Sequence, residues 1–229
     1  MIGVYDLDPR KARSLADSLS PNVPVLPLQR LILRSHLLVE AASPKAVAEL
    51  LPKALARKRP VLVMSAGGLL DQTALLRKFR RQSIPLYVPS GALVGMDGIK
   101  AAAIGRLQRV TLTTRKPPRS FTGAEHLRRP TVLYQGNAST AVRRFPQNIN
   151  VAATLALAGI GPARTRVRII ADPRARGNIH EVEAVGSFGR MVLKTENRPS
   201  LENPKTSALA IQSAVAVLER ILGSFQVGT

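Results

Sequence analysis

Few residues of this chain have side chains able to do chemistry, and they stand far apart. His180 lies in Asn178-Ile179-His180-Glu181-Val182-Glu183, where strand alternation puts His180 and Val182 on one face and Glu181 and Glu183 on the other. A neutral imidazole near pH 7 can relay a proton while a C–N bond is oxidised, although an ordinary partly buried histidine is the simpler reading of the pattern. The spacing is not His-Glu-x-x-His, which excludes a zincin, and no metal site is expected. His36 and His126 sit in helix-like and loop-like contexts with no polar company. Asn150 opens the small-residue run Val151-Ala152-Ala153; its amide either caps a helix or, donating and accepting at once, meets a carboxamide or a ribose. Ser90-Gly91-Ala92 follows an apolar run and precedes Gly95, either as a plain tight turn or as a backbone that a flat ligand approaches closely. Asp6 ends the first strand-like run, where a dinucleotide-binding domain places the acid that holds an adenosine ribose. That acid normally follows a glycine-rich turn by about 20 residues, and the bland alternative is a turn or solvated aspartate.

The elements that must position these residues change in rhythm along the chain. In the first half, short apolar runs alternate with amphipathic ones, the pattern of βαβ units on a parallel sheet. Val4-Tyr5 is followed by Asp8-Pro9, an N-cap and first-turn proline for a helix over Arg10 to Leu19. Leu37 to Ala41 is a strand, and Ser43-Pro44 starts a helix to about Arg57 that Pro52 should kink or split. Val61 to Ser65 is a third strand, Asp71 caps a helix over Leu75 to Arg81, and Pro85 to Val88 is a fourth strand. After Gly91 the pattern becomes α+β with a mainly antiparallel sheet. Strands are expected over Arg109 to Arg115, Val132 to Gln135, Arg164 to Ile170, Ile179 to Val185 and Arg190 to Thr195, with short helices over Gly98 to Ile104 and Val151 to Ala158. A last helix, Lys205 to Leu222, is nearly neutral and is expected to pack back onto the first domain. The domains are therefore 1–93, 94–204 and the terminal helix 205–229.

Composition narrows the function. The 229 residues are 45% hydrophobic, enough for a sizeable core, and the absence of cysteine excludes disulfides, thiolate metal sites and a cysteine nucleophile. No run is long and apolar enough to span a bilayer, and the N-terminus lacks the pattern of an export signal, so a cytoplasmic location is expected. The net charge is +20, carried by 25 Arg and 9 Lys. Basic doublets such as Arg80-Arg81 and Arg143-Arg144 are scattered rather than clustered, and aromatic residues are only 3% of the chain, so base-stacking platforms are scarce. Specific nucleic-acid binding is disfavoured, and a general attraction for anionic ligands remains.

Nine motifs in order resemble the L-aspartate dehydrogenase family. They are Val39-Glu40-Ala41-Ala42-Ser43, Val63-Met64-Ser65-Ala66-Gly67-Gly68-Leu69, Pro89-Ser90-Gly91-Ala92-Leu93-Val94-Gly95, Thr114-Arg115-Lys116-Pro117-Pro118 and Phe145 to Thr154, then Ala171-Asp172-Pro173, Asn178-Ile179-His180-Glu181, Glu196-Asn197-Arg198-Pro199 and Asn203-Pro204-Lys205-Thr206-Ser207. The resemblance implies a Rossmann-type α/β domain, an α+β substrate domain and a returning terminal helix. It also implies a homodimer and oxidation of L-aspartate at Cα with NAD or NADP, giving iminoaspartate, which hydrolyses to oxaloacetate and ammonia or feeds NAD biosynthesis. Carried over by position, Ala92 and Asn150 would contact the nicotinamide cofactor and His180 would be the catalytic histidine. The two substrate carboxylates need basic partners, for which Arg115, Lys116 and Lys205 are candidates. Cofactor preference stays open, since Asp6 disfavours a 2′-phosphate while Arg10 and Lys11 could accommodate one.

The family pattern begins with a strand and a Gly-x-Gly-x-x-Gly turn that this sequence lacks. The expectation is a start codon placed too late, with on the order of 20 to 35 residues of one βα unit upstream; a shortened inactive relative is the competing account. An oxidoreductase for another amino acid or a semialdehyde, and a non-catalytic binder of anions or nucleic acid, also stay open at this point.

Overall fold

The computed structural model describes residues 1–19, 23–145, 150–203 and 206–228. They form two compact units, Met1–Val88 and Pro89–Thr229. The Ser90-Gly91-Ala92 turn and the terminal helix both fall in the second.

In the first unit, the Asp8 carboxylate accepts the Arg10 N–H and Pro9 fills the first turn, starting α1 (Pro9–Ser18). A short α2 (Leu28–Arg34) leads to β1 (Leu38–Glu40). Ser43 Oγ then accepts the Ala46 N–H to start α3 (Pro44–Ala56). After β2 (Val61–Val63) come a 3-10 turn over Ala66–Leu69, α4 (Thr73–Arg81) and β3 (Leu86–Tyr87). The strands are parallel in the order β1-β2-β3, with Val39 opposite Leu62 and Leu62 opposite Tyr87. Val47, Leu51, Val61, Val63, Leu69 and Phe79 fill the core between sheet and helices; burying each such side chain contributes roughly 1.5–3 kcal/mol. Val4 pairs with Val25 in an isolated parallel bridge and packs on Ala16 and Val23.

Pro52 does not split α3, which runs unbroken across it. Proline removes the donor to the Ala48 carbonyl, but both residues are exposed, so that oxygen is open to solvent, and Val47, Leu50, Leu51 and Ala54 anchor the inner face. Asp71 does not cap α4: the helix starts at Thr73 and its cap position, Gln72, makes no side-chain bond. Asp71 is then one residue too early to reach the first free amides.

Glu40, at the end of β1, ties this unit's loops together. Its buried carboxylate accepts the N–H groups of Ala42 (2.8 Å), Ser43 (2.9 Å) and Ser65 (3.0 Å) and the Ser65 hydroxyl (2.9 Å). Removing it strands three backbone donors, of which that of Ser65 is buried and those of Ala42 and Ser43 lie nearer the surface. Glu40→Ala is expected to lower unfolding free energy by about 3–5 kcal/mol in urea titrations; a loss under about 1 kcal/mol would show that the loops hold without it.

The first helix of the second unit, α5 (Met96–Ile104), is started by Gly95 with its left-handed backbone (φ 66°). Then come β4 (Leu107–Lys116), a 3-10 turn over Pro118–Ser120, β5 (Thr131–Asn137), α6 (Ala138–Arg144), α7 (Asn150–Ala158), β6 (Arg166–Ala171), β7 (Asn178–Gly186), β8 (Gly189–Asn197) and α8 (Ala208–Leu222). The sheet order is β5-β6-β4-β7-β8, antiparallel except between β4 and β6. One face carries Val110, Leu112, Val167, Ile169, Val182 and Ala184 into the core shared with α5, α6 and α7. The opposite face is charged, with Glu183 paired to Arg109 and Arg190, and Lys194 to Glu196. This is the alternation the sequence shows.

Candidate active site

The apolar face of the second sheet turns polar at one end. Period-two alternation carries Leu112, Thr114 and Lys116 of β4 to the same buried side, and Thr114 stands directly opposite His180 of β7. Thr114 Oγ1 and His180 Nδ1 share a hydrogen bond of 3.0 Å, which fixes the ring. Among the described residues, Nε2 has no hydrogen-bond partner. His180 is only 2% exposed. Burial, and then the neighbouring Lys116 charge, lowers its pKa from 6.5 to about 3. Burial likewise lowers the Lys116 pKa from 10.5 to about 8. A desolvated ammonium and an imidazole that resists protonation share this end of the sheet, and a carboxylate beside them would stabilise the charged form of both.

The Ser90-Gly91-Ala92 turn reaches this same end of the sheet. The Ala92 carbonyl accepts Thr195 Oγ1 at 3.0 Å and Asn197 Nδ2 at 3.1 Å, and that amide also donates to Thr195 Oγ1 at 3.0 Å. Thr195 of β8 is the register partner of His180, so the structure brings Ala92 and His180 to one place. The Gly91 N–H donates to Ser213 Oγ of α8 at 3.0 Å. Gly91 has φ 67°, and among the described residues no heavy atom beyond its own chain neighbours stands within 4 Å of where a Cβ would lie. A flat ring could rest against this backbone without displacing anything.

Asn150 is the first residue of α7 and is exposed, while Ala152, Leu155 and Ala156 of the same helix are buried in the core. Arg115 lies on the face of β4 opposite His180 and pairs with Asp172 at 3.7 Å, so it is not brought to the imidazole. Lys205 lies outside the described residues. Asp6, in the first unit, spends Oδ1 on the Asp8 N–H at 2.8 Å. His36 and His126 are exposed, His36 in a bend and not a helix. Thr114, Thr195, Asn197 and Ser213 were not singled out by sequence; the one signal was a polar Thr114 and Lys116 ending an otherwise apolar alternation. Among the described residues, no three His, Asp or Glu side chains cluster as metal ligands, and no helix is long and apolar enough to cross a membrane.

A parallel α/β unit followed by an α+β unit with a buried imidazole is the layout of a two-part nicotinamide-dependent oxidoreductase. Comparison with known proteins agrees on both parts: residues 1–89 match the family described as homoserine dehydrogenase, NAD binding domain, and residues 97–221 match aspartate dehydrogenase, C-terminal. The chain is 46% identical to an L-aspartate dehydrogenase of Methanosarcina barkeri, covering 88% of this chain and 79% of the relative. It is 45% identical to that of Methanosarcina mazei, covering 100% and 90%. The crystal structure of an aspartate dehydrogenase from Thermotoga maritima superposes with a TM-score of 0.77 at 28% identity, covering 99% of this chain and 89% of that one. The chain belongs to the L-aspartate dehydrogenase family.

Proposed function

We propose that this protein oxidises L-aspartate at Cα to iminoaspartate with NAD or NADP. The observation that carries the reading is the polar end of the second sheet, where a hydrogen-bonded imidazole and a desolvated ammonium share a buried face in a chain of this family. The open backbone at Gly91 fits a nicotinamide ring. Ala92 and Asn150 would hold that end of the cofactor, and Asp6 the adenosine ribose. When bound, the nicotinamide supplies the acceptor for the hydride leaving Cα.

The chain's own residues supply the rest. The Lys116 ammonium pairs with a substrate carboxylate, which keeps the lysine charged and offsets its field at His180. Thr114 holds the imidazole by Nδ1, leaving Nε2 to take the proton that the substrate ammonium must lose as the C=N bond forms, and later to handle the water that hydrolyses the imine. The net change is one hydride to the cofactor and one proton to the base. Burial keeps the imidazole neutral but lowers its basicity, so proton uptake at Nε2 relies on the substrate carboxylate offsetting the Lys116 field. With Arg115 committed to Asp172 on the other face, Lys116 is the stronger of the two candidates for the carboxylate. Lys205 is kept as a candidate for the second carboxylate on the resemblance alone, as are a cytoplasmic homodimer and a product that feeds NAD biosynthesis.

The test is direct. Adding L-aspartate and NAD or NADP to the purified protein should raise absorbance at the reduced-cofactor band, while glutamate, alanine, homoserine and aspartate semialdehyde give far smaller rates. A larger rate with any of those four would move the assignment to a related oxidoreductase, and no signal with any would reject it.

A further inference from the structure

The Ala92 carbonyl has two lone pairs, and both are taken by side chains of a single strand, Thr195 and Asn197 of β8. These two also bond each other, and Asn197 is buried. Thr114, His180 and Thr195 form one row across β4, β7 and β8, with the imidazole between two hydroxyl-bearing neighbours. One hydroxyl holds the imidazole, and the other holds the turn.

We propose that Thr195 and Asn197 are positioning residues that fix the Ser90-Gly91-Ala92 turn at a set distance from His180, so that the cofactor meets Cα and the proton acceptor meets the amine of one substrate in register. This rests on the dehydrogenase reading above. The turn already has other anchors: the Gly91 N–H is held by Ser213, and Gly95 packs tightly on Leu193. A second lock built from polar groups carries a desolvation cost that apolar packing avoids, so it is better explained by precision than by stability. Hydrogen bonds are directional and the ladder is stiff, whereas hydride transfer needs a near-attack distance of roughly 3–3.5 Å and loses about 100-fold for a 1 Å displacement.

Thr195→Val keeps the shape of the side chain and deletes the hydroxyl; Thr195→Ser restores the hydroxyl. Asn197→Asp, nearly isosteric, turns the donor into an acceptor facing the Ala92 oxygen. The expected result for Thr195→Val and Asn197→Asp is a kcat lower by about 10- to 100-fold, with an increased primary isotope effect on kcat for Cα-deuterated aspartate as hydride transfer becomes limiting. The dissociation constant for reduced cofactor, from fluorescence titration, should rise about fivefold. Thermal midpoints should stay within a few degrees, and Thr195→Ser should return all three readings close to wild type. Wild-type kcat and isotope effect in both altered variants would overturn the proposal while leaving the dehydrogenase reading intact. So would a loss that tracks unfolding and is not rescued by serine. If Thr195→Val does not fold, Asn197→Asp and Thr195→Ser decide by the same criteria. A wild-type protein inactive on aspartate would remove the dehydrogenase reading and this proposal with it.

Discussion

His180→Asn is expected to lower kcat for aspartate oxidation by about 100- to 10,000-fold, the usual worth of a positioned acid–base group, while the cofactor dissociation constant changes less than about threefold. The imidazole is buried, its Nδ1 is bonded to Thr114, and its other nitrogen is the one left for substrate. Asparagine preserves much of the polar contact with Thr114 but offers no basic nitrogen. A variant retaining more than about a tenth of wild-type kcat would contradict the role given to His180. The same substitution has a second, independent readout in stability. The His180 pKa falls from 6.5 to about 3 on folding, mainly through burial and secondarily through Lys116. Between those values the unfolded chain binds a proton that the native chain does not, so unfolding free energy decreases as pH drops. The contribution is fully present above pH 6.5 and is lost progressively toward pH 3, to an extent of about 5 kcal/mol. His180→Asn should therefore flatten the acid side of the stability curve. An unchanged acid limb would show that the imidazole is far more open to water than the structure places it.

What the sequence displayed, and what it hid, divides along the range of the interactions. Helices α1 and α3 were readable because their start signals are local: Asp8-Pro9 and Ser43-Pro44 satisfy amides two or three residues away. Strands β4 and β7 were readable because the sheet buries one face and charges the other, so alternation survives in the residues themselves. Helix α2 was missed since only Ile32 of its seven residues is buried, too little to set a helical period. The Val4–Val25 bridge was half seen, because Pro24 and Pro27 flank the partner segment and obscure its extended character. Within the site, His180 and Lys116 stood out by residue type. Thr114 and Thr195 did not, because a threonine in a strand is unremarkable until its partner is known, and those partners lie 66 and 103 residues away. Arg115 and Lys116 were indistinguishable as neighbours in a motif, yet strand alternation sends one to Asp172 on the outer face and the other to the buried end of the sheet.

Lys116→Met should raise stability and abolish most activity, a combination that distinguishes a functional cation from a structural one. Burial lowers the lysine pKa from 10.5 to about 8, so the native state holds its proton less tightly than the unfolded chain does. By linkage, the stability associated with this group is present above pH 10.5 and is lost as pH falls through 8; at pH 7 the charged side chain therefore weakens the fold. Methionine has similar length and no charge, and its unfolding free energy at pH 7 should exceed that of wild type by about 1–3 kcal/mol, a difference that shrinks when both are measured near pH 10. The activity should move the other way. With no ammonium to meet the carboxylate, kcat/KM for aspartate should drop at least about 100-fold, mostly through KM, the loss expected when a charged hydrogen-bond partner is removed. In wild type, kcat/KM should decline above about pH 8 as the free enzyme's lysine loses its proton, whereas kcat should hold to higher pH because bound carboxylate stabilises the ammonium. Lys116→Arg, which stays charged throughout, should lack that alkaline decline even if its larger head reduces the rate. A methionine variant that is both less stable and fully active would mean that Lys116 serves packing alone, and the carboxylate would then need another partner.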